Sequence, residues 1–339
     1  MTDRRLEAER GAMAGGGTGG AASPWFADPS AGPSGLRARP APTRIGPCTF
    51  RWGERTYVVG ILNITPDSFS GDGLVAANQG QPGELTRDVT ARALAQARAM
   101  VADGADLLDI GGESTRPGHA SVPADEEIAR IVPVIRAIRA DLPEVPLSID
   151  TTKPAVAAAA LDAGADLLND VWGVAPDEGL ARLAAERGVP LILMHNRAEA
   201  RYANLLAEVI ADLWRAIERA VAAGCRAESL IVDPGFGFGK APHHNLELLR
   251  RLPELHVLGR PIMLGTSRKS TLGLVLDLPA GERLEATLAT TTLAAAAGID
   301  LVRVHDVRAN VRVARLTDAT EGNSASQFAD ECIAGLRSV

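Results

Sequence analysis

The chain has 339 residues, 46% of them hydrophobic but only 4% aromatic, and a formal charge of -7. Its core must be built from Ala, Leu, Val and Ile, which suits a parallel sheet covered by alanine-rich helices, and an α/β barrel can run to about 250 residues as one domain. A chain this acidic, with no cluster of Lys or Arg, is not expected to bind nucleic acid, so an anionic substrate must be met by a few local cations.

Residues 1–46 are rich in Gly, Ala, Pro and Ser, and Gly11 to Gly35 shows no hydrophobic period, so a disordered extension is expected ahead of a folded domain at 47–339. Cys48–Trp52 and Thr56–Val58 flank Gly53-Glu54 and read as a short hairpin that closes the bottom of a barrel. An internal echo follows. Asp103-Gly-Ala-Asp-Leu-Leu-Asp109 resembles Ala163-Gly-Ala-Asp-Leu-Leu-Asn169 and Ala297-Gly-Ile-Asp-Leu-Val-Arg303, and Glu186–Met194 is a looser copy. Each follows an alanine-rich helical stretch, has a Gly that can end a helix, and runs into a short apolar strand with a polar last residue.

This joint places strands near 58–62, 106–110, 146–150, 166–169, 190–194, 229–233, 261–264 and 301–304. Helices fill the gaps near 86–103, 125–140, 154–163, 178–187, 204–223, 243–251 and 284–298, and after 308. Eight strand–helix pairs predict a (β/α)8 TIM barrel rather than a doubly wound open sheet, which usually has fewer strands. The cysteines, Cys48, Cys225 and Cys332, are far apart and form no CxxC pair. Neither a disulfide frame nor a zinc site is expected, which fits a reducing cytoplasm. There is no 18-residue apolar run and no basic-then-apolar start, so no membrane or signal segment is expected.

In barrels of this kind the site is built where the strands end. The eight predicted ends give Asn63–Ser70, Gly111–Gly118, Asp150-Thr151-Thr152, Asn169-Asp170, Met194-His195-Asn196, Asp233–Lys240, Gly265–Ser270 and Arg303–Asp306. Loop solvation accounts for one or two polar ends, not for eight at one mouth.

Asp150, Asn169 and Asp233 can face a flat ring edge that offers N–H donors, because a carboxylate accepts two bonds side by side. Capping of the next helix is a fair rival for Asp150, ahead of Lys153-Pro154, and a weaker one for Asp233. Arg116, Arg268, Lys269, Arg303 and His305 form a positive set suited to a polyanion such as pyrophosphate, and Arg303 and His305 share one strand parity. Ser267–Ser270 also reads as the start of a short helix, itself a suitable place for an anion. Asn63, Thr65 and Asp67 can meet Mg²⁺ through oxygen, and the lack of a carboxylate cage agrees with a metal carried in by a diphosphate; Asp67 equally suits a turn after Pro66. His195, alone after an apolar strand, reads as structural. Gly235–Lys240 looks like a phosphate loop but fails the spacing, with Pro234 at the first Gly position and Ala241 at the last. Its glycines then serve close backbone approach, with Phe236 and Phe238 as apolar walls.

Together these segments resemble the dihydropteroate synthases. The resemblance runs from about Val58 to Val307 and rests on Asn63–Ser70, Gly111–Gly118, Ser148–Thr151, Asn169-Asp170, Asp233–Lys240, Ser267–Ser270 and Arg303–Asp306, in that order. It implies that (7,8-dihydropterin-6-yl)methyl diphosphate joins 4-aminobenzoate to give 7,8-dihydropteroate and diphosphate. It further implies that Asp150, Asn169, Asp233 and Lys269 hold the pterin, with Met194 and Ser267 among the substrate-binding residues. Asn63 would bind Mg²⁺ and, with Arg303 and His305, surround the diphosphate. Thr115, Arg116 and Pro117 would line the aminobenzoate side, with Phe238 as a wall and Ser270 near the carboxylate. Asp67, Arg116, Lys269, Arg303 and His305 would carry the catalysis, and the loops after Asn63 and Gly111 would close over the reacting centre. A homodimer through helices near the chain end is expected on the same ground. A methyltransferase of the related pterin-binding barrel type would share the pterin groups but would not need Arg116, Arg303 and His305 as a diphosphate site.

Overall fold

The computed structural model describes residues 39–64, 82–113, 122–173 and 178–321. A two-stranded antiparallel hairpin, β1 (Thr43–Ile45) and β2 (Cys48–Phe50), precedes eight parallel strands. These are β3 (Tyr57–Asn63), β4 (Leu107–Gly111), β5 (Leu147–Asp150), β6 (Leu167–Asp170), β7 (Leu191–Met194), β8 (Leu230–Asp233), β9 (Met263–Leu264) and β10 (Leu301–Val304). They follow the order β8-β7-β6-β5-β4-β3-β10-β9, and a parallel bridge between Val232 and Ile262 joins the two ends. This is the expected (β/α)8 barrel. Its helices are α1 (Pro82–Ala102), α2 (Ala124–Asp141), α3 (Pro154–Ala163), α4 (Gly179–Arg187), α5 (Leu205–Ala222), α6 (Pro242–Arg250), α7 (Ser270–Leu276), α8 (Leu284–Ala296) and α9 (Val307–Glu321). Among the described residues no helix is long and apolar enough to cross a membrane.

The hairpin differs from expectation. Cys48–Phe50 pairs with Thr43–Ile45 across Gly46-Pro47, and Tyr57 onward belongs to the barrel, so ordered chain begins ahead of residue 47. The reason is burial: Tyr57–Leu62 is buried at every position, as a central parallel strand requires, and has no free edge for β2. The hairpin does close the bottom. Phe50 and Trp52 stack with centroids 5.6 Å apart, and Tyr57 meets Phe50 at 4.7 Å and Trp52 at 5.7 Å. These rings and Ile45 form one cluster with Val59, Leu107, Leu167, Ile192, Ile231, Met263 and Leu301, the inward residues at the lower ends of the strands. The opposite parity (Leu62, Leu108, Ile149, Leu168, Leu193, Val232, Val304) packs outward against the helices.

The echo of the sequence has two structural jobs. In each copy the Gly after the helix is left-handed (φ 99° at Gly104, 115° at Gly164, 76° at Gly298), which ends the helix and turns the chain into the next strand. The Asp two residues later then accepts an N–H at the start of a neighbouring strand: Asp106 from Val58 (2.8 Å), Asp166 from Leu147 (2.9 Å) and Asp300 from Ile262, just ahead of β9 (2.9 Å). The last residue of each copy, Asp109, Asn169 or Arg303, shares the inward parity and reaches the mouth.

Candidate active site

Inward residues are apolar at the bottom and polar at the top. Asp109, Asp150, Asn169 and Asp233 are all buried, at 1%, 5%, 2% and 3% exposure. Arg303 lies between two of them: Nε donates to Asp109 Oδ2 at 2.5 Å, and a terminal nitrogen to Asp150 Oδ2 at 2.8 Å. Asn169 Nδ2 also donates to Asp109 Oδ2, at 3.1 Å. Among the described residues, three of the buried acceptors at this mouth are left without a protein partner: Asp109 Oδ1, Asp150 Oδ1 and Asn169 Oδ1. Buried polar atoms are normally paired, so three unpaired oxygens at one mouth point to a ligand with N–H donors. Burial pushes the Asp150 carboxyl up to about 7; Arg303 opposes the shift, and Asp109, Glu127 and Asp170 add to it.

On the opposite wall Asp233 Oδ1 accepts from the Gly235 N–H at 2.7 Å. Its pKa is raised by burial, against Lys269, the Gly235 bond, Arg303 and Lys240. Lys269 Nζ donates to the Phe236 carbonyl and sits 4.4 Å over the Phe238 ring. Burial lowers the Lys269 ammonium to about 7, against the pull of Asp233 and Asp150. Arg268, just before it, is left-handed at φ 56°, which turns successive side chains apart: Lys269 goes to the mouth, and Arg268 goes to Asp306 at 2.7 Å.

The model of the family described as "Pterin binding enzyme" matches residues 59–305. A dihydropteroate synthase of Clostridium beijerinckii is 47% identical over 276 residues, 81% of this chain and 98% of that one. The chain belongs to the dihydropteroate synthase family. A second member, from Bacillus subtilis, is 46% identical over 80% of this chain and 91% of its own. A solved dihydropteroate synthase from Clostridium difficile, determined in the presence of pteroic acid, superposes with a TM-score of 0.74 at 44% identity, covering 80% of this chain and 98% of that one. The Xanthomonas albilineans dihydropteroate synthase, solved with 4-aminobenzoic acid, superposes with a TM-score of 0.72 at 39% identity, covering 81% and 95%.

Of the positions that the dihydropteroate synthase resemblance marked, Asp150, Asn169, Met194, Asp233, Lys269 and Arg303 come together here. Met194 ends β7 in register with Asp233. Ser267 turns its hydroxyl to His305, 3.0 Å from Nδ1 and 3.2 Å from the backbone N, so it orients the imidazole. Phe238 is half-buried under Lys269, and Ser270 is exposed at the start of α7. Asn63 ends β3 beside Gly111. Thr65, Asp67, Thr115, Arg116 and Pro117, and most of the two expected closing loops, lie outside the described residues.

Arg303, expected beside the diphosphate, is also held by two buried carboxylates. Two expectations change. Arg268 leaves the positive set for Asp306. Phe236 is not a wall but part of the core, at 0% exposure. Lys240 is buried as well: its Nζ lies 2.9 Å from His195 Nδ1, 3.0 Å from the Gly235 carbonyl and 3.1 Å from the Phe238 carbonyl. His195 is wholly buried, with Nε2 at 3.2 Å from Asp212; burial and Lys240 lower its pKa to about 3, so it stays neutral and structural.

Sequence reasoning missed Asp109 as a site residue, although it occupies the place in the echo held by Asn169 and Arg303. It also missed Lys153, which bridges Glu113 and the buried Glu127 (2.7 Å); Glu113 in turn accepts from the Val122 N–H at 3.2 Å.

The raised pKa of Asp150 sets a pH dependence. An unfolded Asp ionises near 4, whereas Asp150 keeps its proton to about 7 in the native state, which therefore binds more protons between those values. The ligand-free protein should lose stability relative to Asp150→Asn as pH rises from about 4 to about 7, and the difference should be flat above that. Urea unfolding of both proteins at pH 5 and pH 8 measures it; equal differences at the two pH values would count against the assignment.

Proposed function

We infer that the chain joins (7,8-dihydropterin-6-yl)methyl diphosphate to 4-aminobenzoate, giving 7,8-dihydropteroate and diphosphate. The carrying observation is the set of unpaired buried acceptors, Asp109 Oδ1, Asp150 Oδ1 and Asn169 Oδ1, facing Asp233 and Lys269 across the mouth. Carboxylates and an amide oxygen suit the N–H edge of an aminopyrimidine, and the Lys269 ammonium suits its carbonyl or ring nitrogen. The bond from the exocyclic methylene carbon to the diphosphate oxygen breaks, a carbon–nitrogen bond to the aryl amine forms, and that nitrogen gives up a proton. No protein nucleophile is needed.

Charge supports this course. The described mouth holds three carboxyl groups, Asp109, Asp150 and Asp233, against the basic Arg303 and Lys269. Such a surround favours positive charge on the pterinylmethyl carbon as the bond breaks. It favours the departing diphosphate much less, so a further cation has to come with that group. Mg²⁺ fits: the Asn63 amide has no hydrogen bond among the described residues, and those residues hold no group of three acids or histidines that would cage a metal alone. When bound, Mg²⁺ would neutralise charge on the leaving diphosphate; Asn63 would hold it, with His305 oriented nearby by Ser267. We place the protein in the cytoplasm, where its free Cys48 and Cys225 stay reduced, and propose a homodimer, supported by exposed Leu274, Val275 and Leu276 on α7, Leu293 on α8 and Leu316 on α9.

The test is diphosphate release from the pterin diphosphate, with and without 4-aminobenzoate and Mg²⁺. Release should require all three, and Asn63→Ala should raise the Mg²⁺ concentration needed for half-maximal rate by roughly 10-fold. Methyl transfer to or from a pterin without diphosphate release would instead favour the methyltransferase alternative.

A further inference from the structure

We infer that Asp109 is a positioning residue of the pterin site, holding Asn169 and Arg303 in the geometry in which the ring is read. This rests on the pterin reading above. Strand register puts Gly111, Asp150 and Asn169 at one level and Asp109, Ser148 and Leu167 at the next level down. Asp109 therefore lies two residues, about 7 Å, below the strand end that faces the ring. Its Oδ2 reaches Asn169 Nδ2, one level up on β6, at 3.1 Å, and Arg303 Nε, which the register through β3 puts level with Leu107, at 2.5 Å.

The amide of Asn169 has no other protein partner among the described residues, since Oδ1 is unpaired. Asp109, an acceptor, binds the NH2 end and so leaves Oδ1 as the end turned to the ligand. Without that bond the amide can rotate and present a donor where the ring also offers one. Arg303 is fixed in the same way, because Asp109 takes Nε while Asp150 takes a terminal nitrogen. Without Asp109 the guanidinium is free to turn wholly onto Asp150, the carboxylate whose second oxygen is meant for the ring.

Two variants separate the jobs. Asp109→Asn keeps an oxygen for Asn169 but removes the charge facing Arg303, and its new NH2 falls where Oδ1 has no protein bond to lose. Asp109→Ala removes both contacts. Affinity for the pterin diphosphate, measured by calorimetry without 4-aminobenzoate, should fall roughly 10-fold in the first and roughly 100-fold in the second. KM for 4-aminobenzoate should stay within about twofold even where Tm falls, since removing one partner of a buried ion pair destabilises the fold without touching that substrate's side. In an Arg303→Met background, Asp109→Asn should cost less than about twofold more. Unchanged affinity in Asp109→Asn, or additive losses in that cycle, would overturn the positioning role while leaving the pterin reading intact. A lowered Tm with equal losses on both substrates would make Asp109 a residue of the fold alone. Failure of the unaltered protein to bind the pterin would overturn the pterin reading and this inference together. Should Asp109→Ala not fold, Asp109→Asn and the cycle decide.

Discussion

Asp233→Asn should lower kcat/KM for the pterin diphosphate by roughly 100- to 1000-fold and leave KM for 4-aminobenzoate unchanged. Asp233 closes β8 with one oxygen tied to the Gly235 N–H, and it opposes the burial that lowers the Lys269 ammonium. The substitution costs twice over. A carboxylate suited to two ring N–H donors becomes an amide with one acceptor and one donor, so a donor meets a donor at a position only 3% exposed. Lys269 also loses the charge that keeps it protonated, and with it a donor to the ring. Two charge-assisted bonds at about 1.5 to 3 kcal/mol each set the scale. Initial rates with each substrate varied in turn measure the effect. A change under about threefold, or one that falls on 4-aminobenzoate, would remove Asp233 from the pterin site.

Gly235→Ala should unfold the same wall. Gly235 is left-handed at φ 69°, and a Cβ there would lie 1.8 Å from the His195 carbonyl oxygen. That neighbour cannot yield cheaply. It is backbone, the His195 N–H is bound to the Asp233 carbonyl at 2.8 Å, and the ring is held between Lys240 and Asp212. We expect a loss of about 4 kcal/mol or more, a fall in Tm on the order of 10 °C, and no measurable pterin binding. Gly188 is the control: its φ is 65°, but nothing lies within 4 Å of its added Cβ, so Gly188→Ala should cost only about 1 to 2 kcal/mol for the left-handed backbone. Thermal unfolding of both variants separates conformational strain from the clash. Equal shifts would mean that the close approach to His195 is not what makes Gly235 necessary.

Much of the barrel was legible because each of its signals is local. A left-handed Gly, an Asp and a short apolar run follow one another within seven residues, and repetition of that unit exposed the βα joints. Strands read near 146–150 and 229–233 are found at Leu147–Asp150 and Leu230–Asp233. The hairpin was misplaced because both candidate partners of Cys48–Phe50 are short and apolar; only closure of the barrel, which buries β3 along its length, decides between them. The candidate site was legible wherever a polar residue follows a strand, as with Asp150, Asn169, Asp233 and Lys269. It was illegible where function depends on what a side chain faces. Arg268 and Lys269 are adjacent cations in the sequence, yet one meets Asp306 and the other the mouth.

By itself, then, the sequence determined the repeat, the inward parity of the polar strand ends and the family they resemble, because periodicity and motif spacing are properties of the chain. Only the tertiary structure decided which charges remain available. Asp109 and Arg303 are 194 residues apart, and no local rule pairs them. Their 2.5 Å contact exists because closing the barrel brings β4 and β10 to either side of β3, where burial makes an unpaired charge too costly to leave alone.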